Sequence, residues 1–166
     1  MTDSQGRGSA FTDELPGLFR ALIEPGTAAS IGSAATFSSV DSWYQTLDKP
    51  SFNPPRWVFG PAWSALYVLM GIADHLVTRE RTEAAKNAKR IYRVQLVLNA
   101  LWSVLFFGLR SPLAALVEIV LLWVAILMTI AAFWKVSKPA AMLLVPYFLW
   151  TTFATVLNAS IWAKNR

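Results

Sequence analysis

Residues 112–134 read PLAALVEIVLLWVAILMTIAAFW, and their single ionisable side chain is that of Glu118. A membrane-spanning helix needs about 20 mostly apolar residues, because an α-helix advances about 1.5 Å per residue through the hydrocarbon core. The stretch is long enough and apolar enough to meet that requirement. It therefore predicts a transmembrane helix.

Four further segments can be interpreted in the same way. Three of them hold long uncharged runs, whereas the first is interrupted by Arg20, Glu24 and Pro25. Small residues spaced four apart in that first segment would let it pack closely inside a bundle. The predicted helices span about residues 18–40, 54–77, 91–109, 112–134 and 139–163.

The connections between the segments predict a helical bundle. The links at 110–111 and 135–138 are so short that they join antiparallel neighbours. A water-soluble bundle would need a polar stripe on each helix, and residues 97–109 offer almost none. We therefore predict an all-α integral membrane protein, a five-transmembrane-helix bundle within residues 15–166. The polar, Gly/Ser-rich residues 1–14 are predicted to be a disordered leader.

The composition of the 166 residues agrees with a bilayer environment. Hydrophobic residues make up 55% and charged residues 15%, against about 25% charged residues in a typical soluble domain. The chain has no cysteine and one histidine, which excludes disulfides, thiol catalysis and a histidine-cluster metal site. We therefore expect no metal site and no required cofactor, and we place the histidine, His75, at the membrane interface.

Basic residues are unevenly divided between the two ends of the predicted helices. The loop at 79–93 holds six of them, and with five crossings it lies on the same side as the N-terminus. That side carries ten Lys and Arg residues against five on the other, so the positive-inside rule predicts a multi-pass protein with a cytoplasmic N-terminus. We assign the net charge of +5 to topology and lipid headgroups rather than to nucleic acid.

Three tryptophans, Trp102, Trp123 and Trp150, lie near the middle of their segments, and Trp63 lies about two turns into the second segment. An indole at that depth must find a partner for its N–H or lose a hydrogen bond. Tight helix packing and the wall of a ligand cavity would both explain such residues. Because these indoles come from separate helices, we favour a shared cavity.

Polar residues point to the same half of the bundle. Asn99, Trp102 and Phe106 fall on one helical stripe. The directions of the helices put Trp63 and Trp102 in the half that is covered by a lid loop at 41–56. We predict an apolar, aromatic pocket with a few polar anchors that opens toward this loop.

The lid loop carries a specific motif. Residues 43–55 read WYQTLDKPSFNPP, the pattern WY-x-x-L-x-KP-x-x-NPP. Later segments add NALW at 99–102, PYFLW at 146–150 and TVLN at 155–158. Over about residues 30–163 the chain resembles the tryptophan-rich sensory protein family, whose members are also called translocator proteins or peripheral-type benzodiazepine receptors.

The resemblance implies a five-helix bundle, often dimeric, that binds porphyrins and other bulky hydrophobic molecules under the first loop and between the helices. A tetrapyrrole such as protoporphyrin IX or haem would be its ligand rather than a resident cofactor. The other expected partners are membrane lipid and a second copy of the chain. Carried over to this sequence, and joined by Trp63 from the depth argument, the predicted ligand-binding residues are Phe52, Asn53, Pro54, Trp63, Asn99, Trp102, Phe106 and Trp150.

Two departures from the family pattern bear on function. Phe52 stands where the family usually has tryptophan, and porphyrin breakdown in some relatives is attributed to pocket tryptophans. Residues 158–162 lack the tyrosine that the sterol motif of animal relatives needs. We therefore expect a binding protein with no assigned catalytic residue, and no sterol recognition through that motif.

Three functional hypotheses remain. The first is a binding protein in a regulatory, stress-sensing or transport role, with Arg56 or Lys49 paired to the ligand's propionates. The second is a light- or oxygen-dependent porphyrin-degrading enzyme that uses Trp150 as a redox group. The third is a proton-coupled transporter of small hydrophobic compounds with Glu118 as the coupling acid, which requires Glu118 to face the cavity. The structural alternative for that intramembrane carboxyl is an interhelical hydrogen bond.

Overall fold

A computed structural model describes residues 5–37, 39 and 42–166, and within the first helix the side chains of residues 15–36. Throughout these residues the regular structure is helical, without a β-strand. The helices are α1 (Gln5–Phe37), α2 (Trp43–Thr46), α3 (Arg56–Arg79), α4 (Glu83–Ser103), α5 (Pro112–Trp134), α6 (Lys138–Leu143) and α7 (Val145–Lys164). A π-helical turn, Val104–Gly108, continues α4 toward α5.

Three stretches of the described chain are long and apolar enough to cross a membrane: Glu83–Gly108, Pro112–Trp134 and Lys138–Lys164. The helices α1 and α3 do not reach the same apolar content, because each carries ionisable residues within its length, among them Glu24 and Asp74. The all-α class and the membrane character therefore follow, whereas the count of five crossings stays a prediction.

The helix boundaries differ from the predicted ones at several places. The helix α1 begins at Gln5, so its backbone includes most of the stretch predicted to be a leader. The helix α4 begins at Glu83 instead of residue 91, because the Thr82 hydroxyl accepts a hydrogen bond from the Ala85 N–H at 3.1 Å and caps it. The basic loop is consequently short, and four of its six basic residues belong to the first three turns of α4.

The last predicted helix is divided in two. Residues 138–164 form α6 and α7 with a turn at Leu144, whose N–H donates to Ala141 O at 3.1 Å. Pro146 has no N–H to donate to the carbonyl of Met142, so the helical ladder cannot run through this point unbroken. In contrast, α5 covers the same residues, 112–134, that the sequence predicts, with Pro112 at its start and the Ser111 hydroxyl as its cap.

The helices α1 and α3 are in close contact at the end away from the lid loop. A Cβ atom on Gly71 would collide with the Leu22 side chain, and one on Gly17 would lie 2.9 Å from His75 Cε1. His75 of α3 therefore packs against α1, and its place at the membrane interface stays a prediction. Glycine at both positions allows the two backbones to approach.

Ion pairs join the helices in the same region. The Arg93 guanidinium donates to the Glu24 carboxylate at 2.8 Å, which ties α4 to α1. The Lys89 ammonium donates to Asp74 Oδ2 at 3.1 Å, which ties α4 to α3. Pairing offsets part of the cost of taking these charges out of water. The carboxylates Glu24 of α1 and Asp74 of α3 are thus both paired with bases of α4.

Candidate functional site

A cavity of about 920 Å³ lies between α1, α3, α7 and the end of α4 with its π-helical turn. Its volume falls within the range of small-molecule sites, roughly 300–1,000 Å³. Nearly half of the residues that line it are aromatic, and small residues of α1 form the side that faces this helix. The aromatic lining residues are Tyr44, Trp57, Phe59, Trp63, Tyr67, Trp102, Phe106, Phe107, Trp150 and Phe153.

One wall of the cavity is built by rings of α3 and α7. Trp63 stacks on Tyr67 with ring centroids 5.6 Å apart, and it meets Trp150 edge-on at 6.4 Å. Phe59 lies edge-on to Trp150 at 6.0 Å, and Trp150 contacts Phe153 at 5.7 Å. Phe59 and Trp63 are four residues apart and Trp150 and Phe153 are three apart, so helical periodicity could have identified Phe59 and Phe153 from the sequence.

The opposite wall contains Trp102 and Phe106, stacked with centroids 5.3 Å apart. The Trp102 indole N–H donates to Asn158 Oδ1 at 3.1 Å, and Asn158 Nδ2 donates in turn to the Pro112 carbonyl at 2.8 Å. The polar edge of the indole is therefore satisfied by protein, and its apolar face is left for the cavity. Asn158 lines the cavity as well, although it is not among the residues predicted to bind the ligand.

The π-helical turn shapes this wall. The Leu109 N–H donates to the Val104 carbonyl at 2.8 Å, a bond between residues five apart. The wider turn lets two consecutive rings, Phe106 and Phe107, both reach the cavity, which the 100° rotation of an α-helix would make difficult. The rings meet edge-on with centroids 4.9 Å apart. No sequence pattern predicted this turn.

Asn99 was predicted to be a ligand contact, but it lies behind the wall. It is 2% exposed and is not part of the cavity lining. Its Oδ1 accepts from the Tyr67 hydroxyl at 2.7 Å, and its Nδ2 donates to the Tyr147 hydroxyl at 2.9 Å. Asn99 therefore holds Tyr67, the residue that does face the cavity.

The lid residues Phe52, Asn53 and Pro54 likewise stay outside the cavity lining. Phe52 is 48% exposed, and its ring meets Phe153 edge-on at 6.3 Å. Asn53 Oδ1 accepts from the Tyr44 hydroxyl at 2.7 Å. Burial raises the pKa of the Tyr44 phenol, and the hydrogen bond to Asn53 offsets part of that rise. Phe52 and Asn53 thus contact two residues that do line the cavity, Phe153 and Tyr44, and do not line it themselves.

Arg56 is the charged side chain in the described lining of the cavity. Lys49, the other base that was expected to pair with a propionate, is engaged elsewhere. Its ammonium donates to the carbonyls of Tyr44 and Leu47, both at 2.8 Å, and lies 5.1 Å from the centroid of the Tyr44 ring. Lys49 therefore stabilises the lid loop, whereas Arg56 lines the cavity and stays the candidate for binding an anionic group because of that position.

Two other intramembrane residues lie away from the cavity. The Trp123 N–H donates to the Thr152 hydroxyl at 2.8 Å and its ring packs on Phe148, so this indole joins α5 to α7. Glu118 is buried in the protein and is not part of the lining. The shared cavity thus holds for Trp63, Trp102 and Trp150 but is wrong for Trp123. The condition for a transporter with Glu118 facing the cavity is not met.

The described residues contain no group of three or more His, Cys, Asp or Glu side chains that could hold a metal ion. The chemistry that the site offers is therefore that of aromatic faces, a few hydroxyls and one guanidinium. Such an arrangement suits a large, flat, mostly apolar molecule with an anionic edge.

Comparison with known proteins gives a consistent result. A family model described as the TspO/MBR family matches residues 21–163. The tryptophan-rich protein TspO of Chlorobaculum tepidum is 46% identical over 136 residues, which cover 81% of this chain and 86% of that protein. The Homo sapiens translocator protein is 40% identical, with 86% of each chain covered. The tryptophan-rich sensory protein of Cereibacter sphaeroides is 40% identical over 78% of this chain and 83% of its own. These matches confirm the resemblance inferred from the motifs.

Proposed function

Because the chain belongs to the TspO/MBR family of membrane proteins, we propose that it binds porphyrins and other bulky hydrophobic molecules in the cavity between α1, α3, α4 and α7. The observation that carries the proposal is that three indoles from separate helices, Trp63, Trp102 and Trp150, line one hollow of about 920 Å³. Tetrapyrroles such as protoporphyrin IX and haem have the flat, apolar shape that such walls accommodate.

Binding would rest on two kinds of contact. The ring faces of Trp102 and Trp150 would stack on the macrocycle, because offset and edge-to-face aromatic pairs are favourable beyond their burial. The Arg56 guanidinium would pair with a propionate, since a charge-assisted bidentate bond to a carboxylate is among the stronger hydrogen bonds. The hydroxyls of Ser33 and Ser64 also line the cavity and offer further polar contacts.

The biological role that fits this binding is regulatory, stress-sensing or transport-related. Similar proteins carry the names tryptophan-rich sensory protein and translocator protein, which correspond to those roles. We also propose a multi-pass topology with a cytoplasmic N-terminus, based on the surplus of bases on that side. We also propose that the protein forms a homodimer in the membrane, and this part of the proposal is based on family resemblance alone.

A light- or oxygen-dependent porphyrin-degrading activity is the second candidate. The observation in its favour is that Trp150 lines the cavity and contacts the rings of both Phe59 and Trp63. Illumination of the protein with bound protoporphyrin IX in the presence of oxygen separates the two. New absorption bands that form with the wild type but not with Trp150→Phe would favour catalysis, and an unchanged spectrum would favour binding alone.

The proposed binding is tested by titrating purified protein with protoporphyrin IX and following the porphyrin absorption band. We expect saturable binding that weakens by about tenfold or more in Trp102→Ala and in Trp150→Ala, since each loses a stacking face. Trp134→Ala is the matched control, because Trp134 lies at the end of α5 over Lys138, outside the lining. Affinities of both cavity variants within twofold of the wild type would place the ligand elsewhere.

A further inference from the structure

The side chain of Asn165, at the end of α7, holds the lid loop by its backbone. Asn165 Oδ1 accepts a hydrogen bond from the Asp48 N–H at 3.0 Å, and Asn165 Nδ2 donates to the Asp48 carbonyl at 2.9 Å. The two residues are 117 positions apart in the chain. Because two hydrogen bonds to one residue fix direction as well as distance, they set where the lid loop lies relative to α7.

Asn165 is itself fixed to the helix that lines the cavity. Its Nδ2 also donates to the Ile161 carbonyl at 2.8 Å, and its backbone N–H donates to the same carbonyl at 3.2 Å. Ile161 is part of the cavity lining. The contact between Asp48 and Asn165 therefore lies about one helical turn beyond the cavity wall.

The described part of the lid loop, residues 42–56, is braced by hydrogen bonds of its own. Lys49 Nζ donates to the Tyr44 carbonyl at 2.8 Å, and the Tyr44 hydroxyl donates to Asn53 Oδ1 at 2.7 Å. These bonds run within the loop, so they would survive a movement of the whole loop away from α7. The bonds to Asn165 would break in such a movement.

The other contacts of the loop with the bundle include aromatic packing, for example Trp43 edge-on to Phe106 at 5.7 Å. Apolar contacts of this kind have little directional preference and tolerate a change in position, whereas hydrogen bonds depend on geometry. Asp48 and Asn165 are both exposed. Water can replace their hydrogen bonds, so each bond contributes little net free energy. The pair can therefore orient the loop and still break when the loop moves.

We propose that Asn165 is the latch of a lid: its hydrogen bonds to Asp48 hold the lid loop over the cavity, and a ligand enters or leaves when they break. A movement of the loop away from α7 would carry Tyr44, which lines the cavity, along with it. Asn165 is a positioning residue, because it is not part of the lining. It therefore controls the rates of ligand exchange more than the affinity.

The first test needs no ligand. Hydrogen–deuterium exchange should show a protected amide at Asp48, and Asn165→Ala should speed its exchange by about tenfold, because the protecting hydrogen bond is lost. Ser160→Ala is the matched control, since Ser160 is an exposed residue of α7 whose hydroxyl donates to the Val156 carbonyl of the same helix. An Asp48 amide that exchanges equally fast in the wild type and in Asn165→Ala would overturn the latch.

The second test measures ligand exchange, and it rests on the proposed function. Rapid mixing with protoporphyrin IX and displacement of the bound porphyrin give the association and dissociation rate constants. We expect Asn165→Ala to raise both by about threefold to tenfold and to leave the affinity within about twofold, because the latch touches no ligand. Ser160→Ala should keep the wild-type rates. Unchanged rates in Asn165→Ala, or a loss of affinity without faster association, would overturn the gating role.

A cross-link tests the opposite change. The 166 residues include no cysteine, so a short bifunctional thiol reagent would join only the two new side chains of a double variant, Asp48→Cys with Asn165→Cys. The joined lid should slow both rates by about tenfold or more relative to the two single variants treated with the same reagent. Exchange at the rate of the single variants would show that the ligand takes another route and would overturn the proposal.

Failure of the latch can be distinguished from failure of the proposed function. If the wild type does not bind protoporphyrin IX, the proposed function fails, and the exchange of the Asp48 amide alone then decides whether Asn165 holds the lid loop. If the wild type binds the porphyrin and the rates do not respond to Asn165→Ala or to the cross-link, the latch fails and the binding site stands.

Discussion

Asn158 of α7 accepts a hydrogen bond from the indole N–H of Trp102 on α4, with 3.1 Å between nitrogen and oxygen, and the same amide donates to the Pro112 carbonyl at the start of α5. One side chain therefore joins three helices at the cavity. It also fixes the plane of the indole, because the N–H direction and the stacking on Phe106 together leave little rotation. The orientation of this wall thus depends on an amide that the ligand need not touch.

Replacing Asn158 with leucine tests that dependence. The variant leaves the Trp102 N–H and the Pro112 carbonyl without their partner, so we expect a loss of stability of about 1–3 kcal/mol and a clear loss of affinity for protoporphyrin IX. Thermal unfolding and a porphyrin titration measure the two effects. The control is Thr152→Val, which removes the matching hydrogen bond from Trp123 outside the cavity. It should lower stability and leave affinity unaltered, and an equal loss of affinity in both variants would contradict a specific role for Asn158.

Arg56 and Lys49 should behave differently toward an anionic ligand. We expect Arg56→Gln to weaken binding of protoporphyrin IX by about tenfold, because a charge-assisted bond to a propionate is lost. The same change should barely affect binding of protoporphyrin IX dimethyl ester, which has no carboxylate. Lys49→Gln should leave both affinities close to the wild type, since its ammonium caps carbonyls of the lid loop. Equal effects of Arg56→Gln on acid and ester would show that the guanidinium does not pair with propionates.

The contact between α1 and α3 predicts opposite results for two glycines. At Gly71 an added Cβ collides with Leu22, so Gly71→Ala should lower the free energy of unfolding by about 1–3 kcal/mol. At Gly60 an added Cβ meets nothing within 4 Å, so Gly60→Ala should be neutral or slightly stabilising in its helix. Chemical denaturation in detergent measures both variants. Adding Leu22→Ala to Gly71→Ala should restore part of the loss, and no recovery would contradict the packing.

The sequence was sufficient for the family, the membrane character and three of the cavity's indoles. The WY-x-x-L-x-KP-x-x-NPP motif is specific, and helix direction places Trp63 and Trp102 in one half of the bundle. Trp150 was assigned to the pocket through the family resemblance, and it lines the same cavity. The depth of a residue in the bilayer, however, does not tell which side of its helix the side chain lies on. Trp123 lies at a similar depth on α5 and points to Thr152 instead of the cavity.

The sequence did not show which of the predicted residues reach the cavity surface. Asn99 shares a stripe with Trp102 but is buried and hydrogen-bonded to Tyr67, and Asn53 of the lid motif is hydrogen-bonded to Tyr44. Periodicity identifies a face and cannot order the layers on it. The π-helical turn at Val104–Gly108 has no sequence signature of its own, so the joint exposure of two phenylalanines to the cavity was not predictable.

The most direct test of the account is to fill the cavity. Ala154 of α7 lines it, and Ala154→Trp would occupy part of the space that a ligand needs, while Ala131→Trp adds the same side chain to the exposed face of α5. We predict that titration with protoporphyrin IX gives an affinity at least about tenfold weaker for Ala154→Trp and an affinity within about twofold of the wild type for Ala131→Trp. Wild-type affinity in a folded Ala154→Trp variant would contradict the claim that the ligand binds among these tryptophans.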